Sequence, residues 1–193
     1  MNGIYRYIIS AVICAVIWIL NGRYIADGVR KHVVSETYAH TALGIFFTVL
    51  TLELTLGGAG FWTQGDILWV RIVGLALYAP SIVLVLGSSI QLHRKGEVKG
   101  SIALSINGTS VVVDSGVFRF VQHPMWLGMI IWAIALMLVF QSVLSMVLGA
   151  VAIGLFRMTA MKETEFNMEK FGDPYREYIE RVPMLNVFKG LRK

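Results

Sequence analysis

Two things are scarce in this sequence: cysteine and charge. Cys14 is the single cysteine among 193 residues, so no disulfide can form within the chain. Charged residues make up 15% of the chain, against 56% apolar residues and a mean hydropathy of +0.67. One small water-soluble core cannot bury that much apolar surface, so lipid is expected to solvate the excess. Zinc-ligand spacings, a P-loop and a Gly-x-Ser-x-Gly elbow are also missing from the sequence. The usual marks of zinc hydrolases, nucleotide triphosphatases and α/β-hydrolases are therefore absent, and no metal is expected.

The charges that are present give a net +5 and lie between apolar runs. This placement suits an anionic membrane surface and gives no reason to expect nucleic acid. Spanning a bilayer as helix takes roughly 17–25 apolar residues. Five stretches are candidates: 5–21, 38–56, 67–91, 126–140 and 143–157. A single Arg6 followed by the uncharged run from Tyr7 to Gly22 also fits a signal peptide. No small-residue cleavage pattern follows, which favours a retained first span. Pro80 inside the third stretch is tolerated as a kink in a membrane helix.

The run from Trp126 to Phe156 carries no charge. As one helix it would be about 46 Å long, against a hydrocarbon core of about 30 Å. Gln141-Ser142 lies in its middle, so the run reads as two short helices forming a hairpin. The tail from Met158 is helical in pattern to near Gly172, with a polar helix over about 175–181 beyond. Between spans, Asn107-Gly108 separates Ile102-Ala103-Leu104 from Val111-Val112-Val113, a pattern that resembles a small hairpin outside the hydrocarbon. Asn107-Gly108-Thr109 also matches a glycosylation triplet, one that is common by chance.

Five crossings leave all but Arg6 and Arg71 of the 17 basic residues on one face. The expected fold is an all-α, multi-pass integral membrane protein with one domain over 1–193. Its N-terminus is expected outside, with residues 93–125, 158–193 and the C-terminal helix in the cytoplasm.

Three places could carry chemistry. The first is the strip Gly116-Val117-Phe118-Arg119-Phe120-Val121-Gln122-His123-Pro124-Met125-Trp126. His123 precedes a proline and should be extended, while Pro124 suits a helix start whose free amides attract negative charge. His123 either caps the interface beside a belt Trp or hydrogen-bonds a ligand and moves a proton. The second place holds Glu163 and Glu165, with Phe171, Gly172, Tyr175 and Tyr178 beyond. The two carboxylates are two residues apart and diverge on a helix, so at most one faces a given pocket. The third is Glu53, an ionisable group inside a span, which is either functional or simply reaches the interface.

At the first two places the sequence resembles the isoprenylcysteine carboxyl methyltransferase and phospholipid methyltransferase superfamily. The strip from Asp114 to Gly128 is similar to that family's Gly-x-Tyr-x-x-x-Arg-His-Pro-x-Tyr-x-Gly motif. The stretch from Glu163 to Tyr178, continued by Arg181-Val182-Pro183, resembles its Glu-Glu…Phe-Gly…Tyr…Tyr tail. The resemblance implies S-adenosylmethionine bound at the cytoplasmic face, with Gly116, His123, Pro124, Trp126, Gly128, Glu163 and Glu165 as candidate cofactor-binding residues. It also implies a lipophilic or small methyl acceptor arriving from the bilayer, with a carboxylate, an amine and a thiol all open. Gln122 replaces the family Arg, Trp126 the Tyr, and Thr164 the second Glu; the Arg expected before the Glu pair falls at Thr159, with Arg157 two positions away. An NADPH-dependent sterol-reductase-like enzyme shares a similar His-Pro motif and tail, and a non-catalytic member of the fold is the third reading.

Overall fold

A computed structural model describes residues 3–95 and 109–192. Its long helices are α1 (Gly3–Arg30), α2 (Val34–Thr55), α3 (Leu68–Lys95), α4 (Pro124–Phe140) and α5 (Val143–Phe171). Two short helices follow, α6 (Asp173–Arg181) and α7 (Val187–Leu191), and there is no strand among the described residues. Four helical stretches are long and apolar enough to span a bilayer, and α4 is a shorter apolar helix of 17 residues. The pattern of five apolar helices expected from hydropathy is thus present. The hairpin around Asn107-Gly108 lies outside the described residues.

The helix ends differ from the hydropathy boundaries in a consistent way. α1 continues through Arg23, Asp27 and Arg30, and α5 runs unbroken through Lys162 and Lys170 to Phe171. Charged residues end an apolar run but do not break a helix. Hydropathy therefore marks lipid depth, and the termini answer to local backbone chemistry. Between α1 and α2 the chain turns at His32, which is left-handed at φ 56°. α5 stops at Gly172, also at positive φ (63°), a conformation that costs glycine little.

The helices pack in the lateral order α1, α2, α5, α4, α3. Small residues set the spacing between α3 and α4. A Cβ on Gly74 would lie 2.9 Å from the Ala135 carbonyl oxygen, and one on Gly128 would lie 3.0 Å from the Ser81 carbonyl oxygen. The Ser81 hydroxyl donates to the Gly128 carbonyl at 2.8 Å, a bond made where no water competes. The core between α2, α4 and α5 is built from Phe46, Val49, Trp126, Leu136, Phe156 and Ala160. α1 touches mainly α2 and presents Ile8, Val12, Ile19 and other large apolar side chains outward, as a lipid-facing helix should.

The α4–α5 turn needs only two residues. Gln141 takes the left-handed conformation (φ 50°), and Ser142 caps α5 by accepting from the Ser145 amide at 2.9 Å. The Ser142 amide in turn donates to the Ser145 hydroxyl, closing a capping box. At this end of the bundle Glu53 is fully buried. Its carboxylate accepts from the Trp62 indole at 3.0 Å, from the Gln64 amide at 2.8 Å, and from the Ser142 hydroxyl. Arg71 adds bonds to the carbonyls of Val139 and Gly65. The sequence leaves Glu53 either functional or reaching the interface; it is instead enclosed, and it fastens α2 to the 57–66 loop and to the hairpin tip.

Replacing Glu53 by Ala would strand three donors, the buried Ser142 hydroxyl and the part-buried groups of Trp62 and Gln64. The expected cost is about 2–4 kcal/mol, read as a lower thermal midpoint in detergent, because each unmade bond forfeits the desolvation of its group. An unchanged midpoint would mean that the knot contributes nothing.

Candidate functional site

The opposite end of the bundle brings the two sequence motifs together. Gly116 opens a 3-10 turn over Gly116–Arg119 at φ 60°. A Cβ there would lie 2.0 Å from the side-chain amide nitrogen of Gln91, a flexible group that can move, so it is the positive φ that favours glycine. The chain then bends at Gln122, passes His123 at φ −121° and ψ 68° rather than in the extended conformation expected, and starts α4 at Pro124, with proline in the first helical position as its fixed φ favours.

His123 is buried and lies between two residues of α5. Its Nδ1 is 3.4 Å from Glu163 Oε2, and its Nε2 is 2.7 Å from the Thr164 hydroxyl. Thr164 gives its own proton to the Ala160 carbonyl at 3.0 Å, so it accepts from Nε2 of His123. This bond requires a hydrogen on Nε2. Trp126 donates its indole N–H to the same Glu163 oxygen and stacks on Phe156 at 6.0 Å between ring centroids. The Glu163 side chain remains 18% exposed, so part of its carboxylate stays open.

The C-terminal segment clamps this arrangement. The Gln122 and His123 amides donate to the carbonyls of Pro183 (3.0 Å) and Met184 (3.3 Å). The Gln122 side-chain amide is buried and donates to the Val182 carbonyl. Tyr178 donates to the Phe118 carbonyl at 2.8 Å, and Tyr175 packs beside it with centroids 5.6 Å apart. Burial pushes the Tyr175 phenol up to about 12; Asn167 and Thr164 oppose the shift through hydrogen bonds, and the nearby Glu163 charge adds to it. Burial likewise pushes the Tyr178 phenol up. Both phenols therefore stay neutral donors at any ordinary pH.

The candidate residues separate into two groups. His123, Trp126 and Glu163 meet directly, and Pro124 begins the helix that aims two of them. Gly116 shapes the turn leading in. Glu165 lies on the exposed face of α5 and pairs with Lys162 at 2.7 Å, outside the cluster. Gly128 faces α3, so its absent side chain serves helix packing. The sequence pattern undervalued Thr164 and Gln122, which looked like losses from a motif. Thr164 holds the far nitrogen of His123, and Gln122 ties the strip to the tail. Thr164 directly follows Glu163, and that adjacency was the available signal: neighbouring positions on α5 reach the two nitrogens of one imidazole.

The described residues contain no group of His, Cys, Asp and Glu suited to a metal ion. A carboxylate with an open edge beside an indole and a second stacked ring suits an organic cation instead.

A valine at position 128 is expected to force α3 and α4 apart, lowering the thermal midpoint by an amount matching about 1–3 kcal/mol of overpacking. If Gly128→Val kept the wild-type midpoint, the close approach of these helices would be dispensable.

Three curated proteins resemble this chain. The Protein-S-isoprenylcysteine O-methyltransferase of Xenopus laevis is 24% identical over 155 residues, covering 74% of this chain and 53% of that protein. The human protein of the same name is 26% identical over 150 residues, covering 73% and 50%. The Schizosaccharomyces pombe one is 26% identical over 99 residues, covering 51% and 42%. The chain thus spans about half the length of the curated relatives it matches. No solved structure matches it. The phospholipid methyltransferase family matches residues 69–174, a stretch that runs from the start of α3 into α6 and includes His123, Trp126 and Glu163. With more than half of its length matched, this chain belongs to the phospholipid methyltransferase family.

Proposed function

We propose that this protein transfers a methyl group from S-adenosylmethionine to a lipophilic acceptor at the membrane surface. One observation carries the reading: Trp126, His123 and Glu163, drawn from both motifs, converge on one carboxylate oxygen with part of the carboxylate left open. The residues present fit the donor. Glu163 would hold its ammonium, and the Trp126 and Phe156 rings would line its positive face. When bound, S-adenosylmethionine supplies a methyl group on an already activated sulfonium.

The chain then has three tasks. Glu163 binds and orients through its free edge. Trp126 and His123 fix the rotamer of Glu163, and Thr164 fixes His123. The tail clamp excludes water, since Pro183 and Met184 seal the strip over His123. Among the open acceptor classes we favour a carboxylate on a lipid-soluble tail, because the three relatives are named for O-methylation of isoprenylcysteine. A carboxylate arrives already deprotonated and needs no general base. That agrees with a site whose histidine is engaged at both nitrogens. A reductase would need fixed positive charge for the NADPH phosphates. The position where the family carries Arg holds Gln122, whose amide is committed to backbone carbonyls.

We further propose one membrane-embedded unit over the whole chain, with the N-terminus outside and the site and tail in the cytoplasm. Its support is the crowding of basic residues at the His123 end.

Calorimetry in detergent tests the donor. S-adenosylhomocysteine is expected to bind and NADPH is not; binding of NADPH alone would sink the proposal, and binding of neither would favour a non-catalytic member of the fold. Glu163→Ala should weaken S-adenosylhomocysteine about tenfold or more, as expected for losing a charge-assisted bond of about 1.5–3 kcal/mol. His123→Ala should also weaken it, and unchanged affinity in both variants would remove the site assignment. Orientation is tested separately with single cysteines in a Cys14→Ser background. A membrane-impermeant thiol reagent should reach a cysteine placed at Phe61 from outside intact cells and one at Arg176 only after lysis. The reverse pattern would invert the topology.

A further inference from the structure

The C-terminal helix α7 presents an apolar and basic face that the bundle leaves uncovered. Phe188 is 75% exposed and Leu191 59% exposed, although α7 itself is firmly docked. Asn186 caps it by accepting from the Lys189 amide at 3.0 Å. Gly190 sits so close to the 116–123 strip that an added Cβ would lie 1.9 Å from the Phe120 carbonyl oxygen. The two large apolar side chains are therefore held outward by a fixed backbone. Lys189 and Arg192 are exposed beside them. From Arg181 to the end, the sequence holds Arg181, Lys189, Arg192 and Lys193 and no acidic residue.

The depth of this face follows from α4. A helix of 17 residues is about 26 Å long, less than the hydrocarbon core of about 30 Å. If its far end at Gln141 reaches one interface, its start at Pro124 lies no higher than the other. Phe120 is four residues before that start, and α7 rests on Phe120. Phe188 and Leu191 are thus at headgroup depth, where aromatic and aliphatic side chains flanked by cations are stable.

We propose that α7 docks into the anionic headgroup layer of the protein's own bilayer, with Phe188 and Leu191 inserted and Lys189 and Arg192 on lipid phosphates. Charge complementarity selects this occupant over a second copy of the chain, whose matching tail would carry the same positive charge. Docking also bears on the site. Pro183 and Met184, which hold the Gln122 and His123 amides, lie just ahead of α7. An anchored α7 keeps that clamp shut, and a released one lets it open. The lipid surface stands without the methyl-transfer reading; only its consequence for catalysis rests on that reading.

A nitroxide at Leu191→Cys, in full-length Cys14→Ser protein, tests this in nanodiscs of phosphatidylcholine with and without phosphatidylglycerol. In anionic discs the label should collide with dissolved oxygen and be shielded from a water-soluble nickel chelate. Lys189→Gln and Arg192→Gln should each shift the label toward water by about fivefold, the share of one cation near an anionic surface. Amide exchange over 120–126 should be slower in anionic discs and lose that protection in the double variant. A label at Phe188→Cys repeats the measurement should the first substitution disturb the tail. Equal exposure to the nickel chelate in both lipids, at both positions, would overturn the proposal. Dipolar broadening between labels on two chains would overturn it in favour of self-association. Neither readout requires a methyl donor, so failure here is distinct from failure of the proposed activity.

Discussion

One carboxylate oxygen joins the two halves of this protein's site. Glu163 receives the indole of Trp126 and faces the imidazole of His123, and these residues come from opposite arms of a hairpin. The contact forms only because α4 and α5 turn back on each other within two residues. That turn in turn depends on a left-handed Gln141 and a serine capping box. Its tip is held by Gln141, whose side-chain amide pairs twice with the backbone of Ile67. A loosened tip would let the arms splay, and the separation at the far end would grow with the length of the arms.

The bundle holds a buried or half-buried carboxylate at each end, and the two differ in a telling way. Glu53 has no exposed surface, and three neutral donors, two from the 57–66 loop and one from the hairpin tip, converge on its carboxylate. Such a group is satisfied by the fold alone and has nothing left to offer a ligand. Glu163 spends one oxygen on Trp126 and His123 and keeps part of its surface open. Burial by itself does not separate a binding group from a structural one. The number of partners already supplied by the chain does.

Much of this was legible in the sequence. The hairpin was visible because an uncharged run too long for one crossing had Gln141-Ser142 at its middle. The His-Pro strip and the Glu163 stretch were visible as motifs, and they do meet. What stayed hidden was rotational and lateral. That Glu163 and Glu165 diverge, about 200° apart around α5, was legible; which of them faces His123 and which solvent was not. Gly128 reads as part of a motif, yet its neighbour across α3 uses the missing side chain. The helical tail to near Gly172 was legible by pattern, but its continuity with the last span was not, nor was the extension of α1 to Arg30, where hydropathy has no signal. Thr164 and Gln122 were weighed against a consensus, when their value lay in hydrogen-bond geometry that no consensus encodes.

The shortness of α4 has a further consequence. Withdrawing a hydrocarbon tail from a bilayer costs about 0.8 kcal/mol for each methylene that meets water. Long helices would have raised the Trp126–Glu163 cluster clear of the lipid, and the proposed lipophilic acceptor would have had to climb out to reach it. In the proposed membrane placement, a helix of 17 residues instead sinks the cluster to the level where a polar head already floats on its own tail. Such an acceptor could present its head by lateral diffusion alone, with its tail never leaving the oil.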